Sequence, residues 1–159
     1  MTTNGEKAFG LFQDKLGQSD GSGEWLLIDQ ERINAFAEIT EDRQLIHIDP
    51  VLSAQLSPWG VPIAHGFLTL SMLTHLCATV PQSPEAFEGI LMGVNYGFDK
   101  VRFVSPVKVD SKVRASSTLS TVEQKDANTL QIMRTVTIEI EGETKPAVVA
   151  EWITRLIYG

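Results

Sequence analysis

The sequence predicts an α+β domain in which a long antiparallel sheet wraps one apolar helix. Three observations predict it. Residues 67–80 (FLTLSMLTHLCATV) are apolar nearly all round, as in a helix buried on most sides. From Ile90 onward the chain falls into four long runs rich in Val, Ile and Thr. In one of them Leu130, Ile132, Arg134, Val136, Ile138 and Ile140 fall on alternate positions, the period of a half-buried strand. A one-sided sheet and an apolar helix bury each other. With 159 residues and 43% hydrophobic content, one domain spanning 1–159 has enough material for a core.

Phe9, Phe12 and Leu16 recur at helical spacing and mark a short first helix. Gln18–Gly23 (QSDGSG) reads as the turn after it, so residues 1–20 form an N-terminal helix and turn. Glu24–Ile28 reads as a short strand, and Asp29 as the N-cap of a helix with Ile33, Phe36 and Ala37 on one face, running to about Ile39. Thr40–Pro62 lacks sustained periodicity and holds Pro50, Pro58, Gly60 and Pro62. It is expected to be mostly loop with one helical turn, and a loop of that length is often functional. Gly66 opens the apolar helix and Pro81 ends it. The strands are expected at Ile90–Val104, Val107–Glu123, Thr129–Ile140 and Ala147–Ile157, with Gly142 in the last hairpin turn.

The net charge of −7 argues against a general nucleic-acid binder, because an acidic surface repels phosphate. Cys77 is the only cysteine, so no intrachain disulfide forms, and its apolar setting marks a buried structural thiol. The N-terminus has no apolar signal core, and the run Phe67–Val80 is too short and too interrupted to span a bilayer. A soluble, cytoplasmic protein with no membrane partner is expected.

The chemistry-bearing stretch is Ile39–Pro50 (ITEDRQLIHIDP), where Asp42 and His47 stand five residues apart after a helix. Folded back, the two side chains could hold one water, one accepting its proton and one donating; a capping Asp42 and a satisfied loop His47 are the plain alternative. Gly66 sits where the apolar helix begins, so its N–H is free of intrahelical bonds, and the missing side chain lets a ligand approach. Such an N–H can stabilise an enolate oxygen growing from a thioester carbonyl. Thr74, two turns on, faces the same cavity or bonds back to its own helix. His75 reads as a core or interface residue. His47, Asp49 and His65 have no recognised metal-ligand spacing, so no metal is expected. Lys100, Arg102, Lys108, Lys112 and Arg114 either line the phosphates of a ligand or form a solvated strand face.

These residues resemble the MaoC-like dehydratases, the family of (R)-specific enoyl-CoA hydratases, and most closely their NodN-like branch. The family motif T-G-D-x-N-P-[IL]-H, then five residues and Ala or Ser, is met by Thr40-Glu41-Asp42-Arg43-Gln44-Leu45-Ile46-His47 with Ser53 last. Ala64-His65-Gly66 matches the A-H-G element, and Phe67–Ser71 and Val94–Val107 look like the NodN-like branch. Glu41, Gln44 and Leu45 depart from the motif's Gly, Asn and Pro.

The resemblance implies a hotdog fold and a homodimer with its sheets joined and a thioester tunnel at the interface. It implies Asp42 and His47 as the catalytic pair and Gly66 as the oxyanion-hole donor. Gln44, Ala64, His65, Thr74, Tyr96 and Arg102 are the candidate substrate contacts. The implied reaction is reversible hydration of a trans-2-enoyl-CoA, with CoA part of the substrate and no separate cofactor. A carrier-protein-linked dehydratase and a non-catalytic acyl-thioester binder remain as alternatives, with a thioesterase behind them.

Overall fold

The computed structural model describes residues 2–159. Its first element, α1 (Asn4–Gln13), carries a capping box: the Thr3 hydroxyl accepts from the Glu6 N–H and the Glu6 carboxylate accepts from the Thr3 N–H. Then follow β1 (Ser19–Ser22), β2 (Leu26–Ile28) and α2 (Gln30–Thr40). Asp29 caps α2 by accepting from the Arg32 N–H at 2.8 Å. Next come α3 (Leu45–Ile48), α4 (Pro50–Leu56), α5 (Gly66–Ser71), α6 (Leu73–Ala78) and a 3-10 turn at Pro84–Phe87. Four long strands complete the chain: β3 (Ile90–Phe103), β4 (Ser111–Asp126), β5 (Thr129–Ile140) and β6 (Val148–Tyr158).

All pairings are antiparallel, in the order β1-β4-β5-β6-β3, with β2 also on the β1 side of β4. The alternation read from the sequence is the alternation of burial: Leu130, Ile132, Val136, Ile138 and Ile140 face inward on β5, and Val113, Ala115 and Leu119 on β4. Leu68, Leu73 and Leu76 of α5 and α6 pack on one half of that face, with Ile28 and Ile33. Helix α1 covers the other half through Ala8 and Phe12, against Leu119, Leu130, Ile132, Leu156 and Tyr158. Cys77 is a buried free thiol whose pKa burial pushes up to about 11, so it is neutral near neutral pH.

Three expectations are corrected. Gln18–Gly23 is not only a turn, because Ser19–Ser22 forms β1 on the edge of β4. The reason lies across the sheet: Arg134 occupies an inward position of β5 and needs a counter-charge. Asp20 of β1 supplies it at 3.3 Å, and also accepts from the Ser117 hydroxyl at 2.7 Å. Second, Thr40–Pro62 holds two helices instead of one turn. Asp49 caps α4 and Pro50 begins it, a position where the missing N–H costs nothing. Third, the apolar helix breaks at Met72 into α5 and α6. Only one side of it is buried, since Phe67, Thr74 and His75 are exposed. Strand β3 likewise leaves Leu91, Met92, Val94, Tyr96 and Phe98 exposed, and its edge away from β6 has no partner among the described residues. No helix among the described residues is long and apolar enough to cross a membrane.

Candidate active site

The site lies where the α2–α3 link meets the start of α5. Helix α2 ends at Glu41, whose φ of 61° is left-handed and turns the chain away from the helix axis. Asp42 follows, half-buried, with its Oδ1 accepting from the Gln44 side-chain amide at 3.2 Å. One turn later His47 is buried on α3. Its Nδ1 lies 2.7 Å from the Ile63 carbonyl oxygen. A carbonyl only accepts, so in the neutral ring Nδ1 carries the hydrogen and Nε2 is left with a free lone pair. Gln30 donates to the His47 carbonyl at 2.7 Å, and the Ile63 N–H donates to the Ile46 carbonyl at 2.9 Å. His47 is thus gripped through ring and backbone. Ser53, buried on α4, donates to the Leu45 carbonyl at 3.0 Å and ties α4 back to α3.

Burial holds the His47 pKa below its ordinary value. The nearby His65 acts in the same direction, while the Ile63 carbonyl and Asp42 oppose it. The imidazole is therefore neutral near neutral pH. The His47 and His65 rings stack, with centroids 3.7 Å apart and planes 22° apart.

An apolar-walled cleft of about 220 Å³ opens beside His47. Its lining includes Ala64, Gly66, Thr69, Phe103, Ser105 and Val148. Gly66 leads α5, so its N–H has no intrahelical acceptor. A Cβ there would stand 3.0 Å from Cδ1 of Phe103, so a side chain would press on the cleft wall and the Phe103 ring would have to give way. Asp42 is not on that wall. Its carboxylate stands beside it, within 4.8 Å of ring nitrogens of His47 and His65. These three groups are close enough to suggest a metal centre. One nitrogen of each ring, however, already faces a backbone carbonyl oxygen: Nδ1 of His47 that of Ile63 at 2.7 Å, and Nε2 of His65 that of Asp42 at 2.9 Å.

The structure brings Asp42, His47, Gly66, Ala64, His65 and Gln44 together. It sets the other three candidate contacts apart. Thr74 is exposed and lines a separate hollow with Phe67, Asn95, Phe98 and Trp152. Tyr96 is exposed on β3, under the Arg155 guanidinium at 3.9 Å. Arg102 is exposed and, among the described residues, bonds only the Val101 carbonyl. Within the basic group, Lys100, Lys112 and Arg114 pair with Glu151, Glu141 and Glu139. That leaves Arg102 and Lys108 without a carboxylate partner among the described residues. Thr69 was missed: it is buried, lines the cleft and sits one turn from Gly66, a position that helical spacing alone could have named.

Comparison with known proteins gives the family and the fold. Residues 12–141 match the MaoC-like domain. The chain is 46% identical over 139 residues to Nodulation protein N of Rhizobium meliloti, covering 87% of this chain and 84% of that one. It is 44% identical over 144 residues to 3-hydroxyacyl-thioester dehydratase Z of Mycobacterium tuberculosis, covering 91% and 89%. The solved (R)-hydratase from A. caviae superposes with a TM-score of 0.65 at 22% identity, covering 87% of this chain and 94% of that one. A MaoC-like dehydratase from Rhodospirillum rubrum superposes at 0.70 with 17% identity, covering 91% and 93%. The fold is the hotdog fold: one antiparallel sheet with helices packed against it.

Proposed function

The chain belongs to the MaoC-like dehydratase family, and we propose that it reversibly hydrates a trans-2-enoyl-CoA to the (R)-3-hydroxyacyl-CoA. The observation that carries this reading is the His47 ring. Its Nδ1–H is committed to the Ile63 carbonyl, its Nε2 lone pair is free, and the Asp42 carboxylate stands beside it. A water between the two would have one hydrogen accepted by each.

In the proposed reaction the thioester carbonyl accepts from the Gly66 N–H, which draws electron density from C3. Water attacks C3 as His47 Nε2 takes its proton. The enolate at C1–C2 then takes one proton at C2, returned from the Asp42–His47 pair, so the addition is balanced and the pair is restored. Dehydration runs the same steps backward. The bond changes call for no group beyond these side chains and the thioester. Gln44 holds the Asp42 carboxylate, and Thr69 and Phe103 shape the acyl path. Away from the cleft, Arg102 and Lys108 are the members of the basic group with no carboxylate partner among the described residues, and they are assigned to the phosphates of CoA.

The protein is proposed to work as a homodimer through β3 and the bare side of α5 and α6. Support comes from the exposed Phe67, Met92, Val94 and Phe98 and the unpaired β3 edge. A second copy there would also cover the hollow at Thr74. Phe98→Asp should convert a dimer to monomer in light scattering.

Product analysis tests the reaction. Purified protein is incubated with crotonyl-CoA and, separately, with a crotonyl carrier protein, and the product is resolved on a chiral column. The (R)-3-hydroxybutyryl thioester formed from CoA is the expected result. Turnover of the carrier-protein thioester alone would replace CoA as substrate. Saturable binding of both with no product would make the chain an acyl-thioester binder.

A further inference from the structure

Two imidazoles are buried at the site, and the proposed water chemistry uses only one. We infer that His65 is a positioning residue that holds Asp42, His47 and Gly66 in one arrangement, without touching substrate. The inference rests on the Asp42–His47 reading above.

Three contacts converge on this side chain. Its Nε2 lies 2.9 Å from the Asp42 carbonyl oxygen, which only accepts, so Nε2 carries the hydrogen and donates it. That bond ties the link after α2 to a residue 23 positions away. Its ring stacks on His47, and Phe36 packs against it with centroids 5.0 Å apart. Its backbone is the N-cap of α5, so the next peptide N–H is that of Gly66, and its carbonyl accepts from the Thr69 N–H at 3.2 Å. One residue therefore sets the height of the carboxylate, the tilt of the base and the start of the helix that presents the Gly66 N–H.

Burial separates this role from substrate binding. His65 is 2% exposed and does not line the cleft. Its second nitrogen, Nδ1, is buried with no hydrogen-bond partner among the described residues. A leucine would fill a similar space without that unmet polar atom. The Nε2–H bond to Asp42 is what the imidazole provides in return.

The test compares His65→Gln with His65→Asn, two polar amides of similar character. The Gln amide nitrogen reaches about as far as Nε2, whereas the Asn nitrogen stops near the place of Nδ1. For crotonyl-CoA hydration, Gln should keep kcat within about threefold of the parent. Asn should lose about tenfold or more, with KM within about twofold in both, because a misplaced carboxylate slows the chemical step while leaving binding intact. Equal kcat in the two variants, or a change confined to KM, overturns the inference.

A second readout needs no turnover. The chain has three histidines, so long-range proton–nitrogen spectra resolve each ring. His65 should show the Nε2–H tautomer and His47 the Nδ1–H tautomer. His65 found as Nδ1–H overturns the inference even in an active enzyme. An inactive parent with both expected tautomers refutes the hydratase reading and supports the arrangement.

Discussion

Glu41 ends α2 at φ 61° and ψ 12°, a conformation that crowds any Cβ against the neighbouring carbonyl. The family motif has Gly at this place. Replacing Glu41 by Gly removes a penalty of about 1–2 kcal/mol, offset in part by the greater freedom of Gly in the unfolded chain, about 0.4–1 kcal/mol. The carboxylate also pairs with Arg43, but both side chains are exposed and Glu38 still holds Arg43 at 2.8 Å. Losing an exposed pair of this kind matters little. The net gain is ~1 kcal/mol, which for a chain of this size raises Tm by about 2–4 °C. Thermal unfolding followed by circular dichroism measures it, with Glu41→Ala as control. Ala keeps the Cβ and loses the carboxylate, so it should gain nothing. A Tm equal for Ala and Gly, or lower for Gly than for the parent, would refute the backbone argument.

Three further outcomes follow from the Asp20–Arg134 pair and from His47. Asp20→Ala leaves the buried Arg134 guanidinium with Gln82 at 3.1 Å and no counter-charge; denaturant unfolding should show a loss of about 3 kcal/mol or more, and a loss under ~1 kcal/mol would show the pair to be dispensable. Because burial lowers the His47 pKa from 6.5, folded protein resists the proton that the unfolded chain accepts. Stability should therefore fall as pH drops from about 6.5 through the folded value, and less so in His47→Asn. The acid limb of kcat/KM should also lie below about 6.5, and a limb above that value would contradict a desolvated base.

The long strands were legible because β4, β5 and β6 each put one face into the core, which writes a period of two into the sequence. β1 was not, because Ser19–Ser22 is polar and its reason for pairing, Arg134, lies more than a hundred residues away. α3 is a four-residue helix, too short to show periodicity, although Asp49-Pro50 carried a start signal for α4. At the site, Asp42, His47 and Gly66 are legible from residue type and placement and again from the motif, and the fold brings them together. The role of His65 was hidden because it works through the Asp42 carbonyl, and a backbone acceptor leaves no residue type to read. Thr74 is suggested by helical spacing as well as by the resemblance, and Tyr96 by the resemblance, but in this chain Thr74 lines a separate hollow and Tyr96 lies exposed on β3.

The most direct test of the account is kcat/KM for hydration of crotonyl-CoA by the parent, Asp42→Asn and His47→Asn, read as loss of enoyl-thioester absorbance at matched Tm. The account predicts turnover by the parent and a loss of about 10²–10⁴-fold in each variant. Folded variants that hydrate as fast as the parent would contradict it.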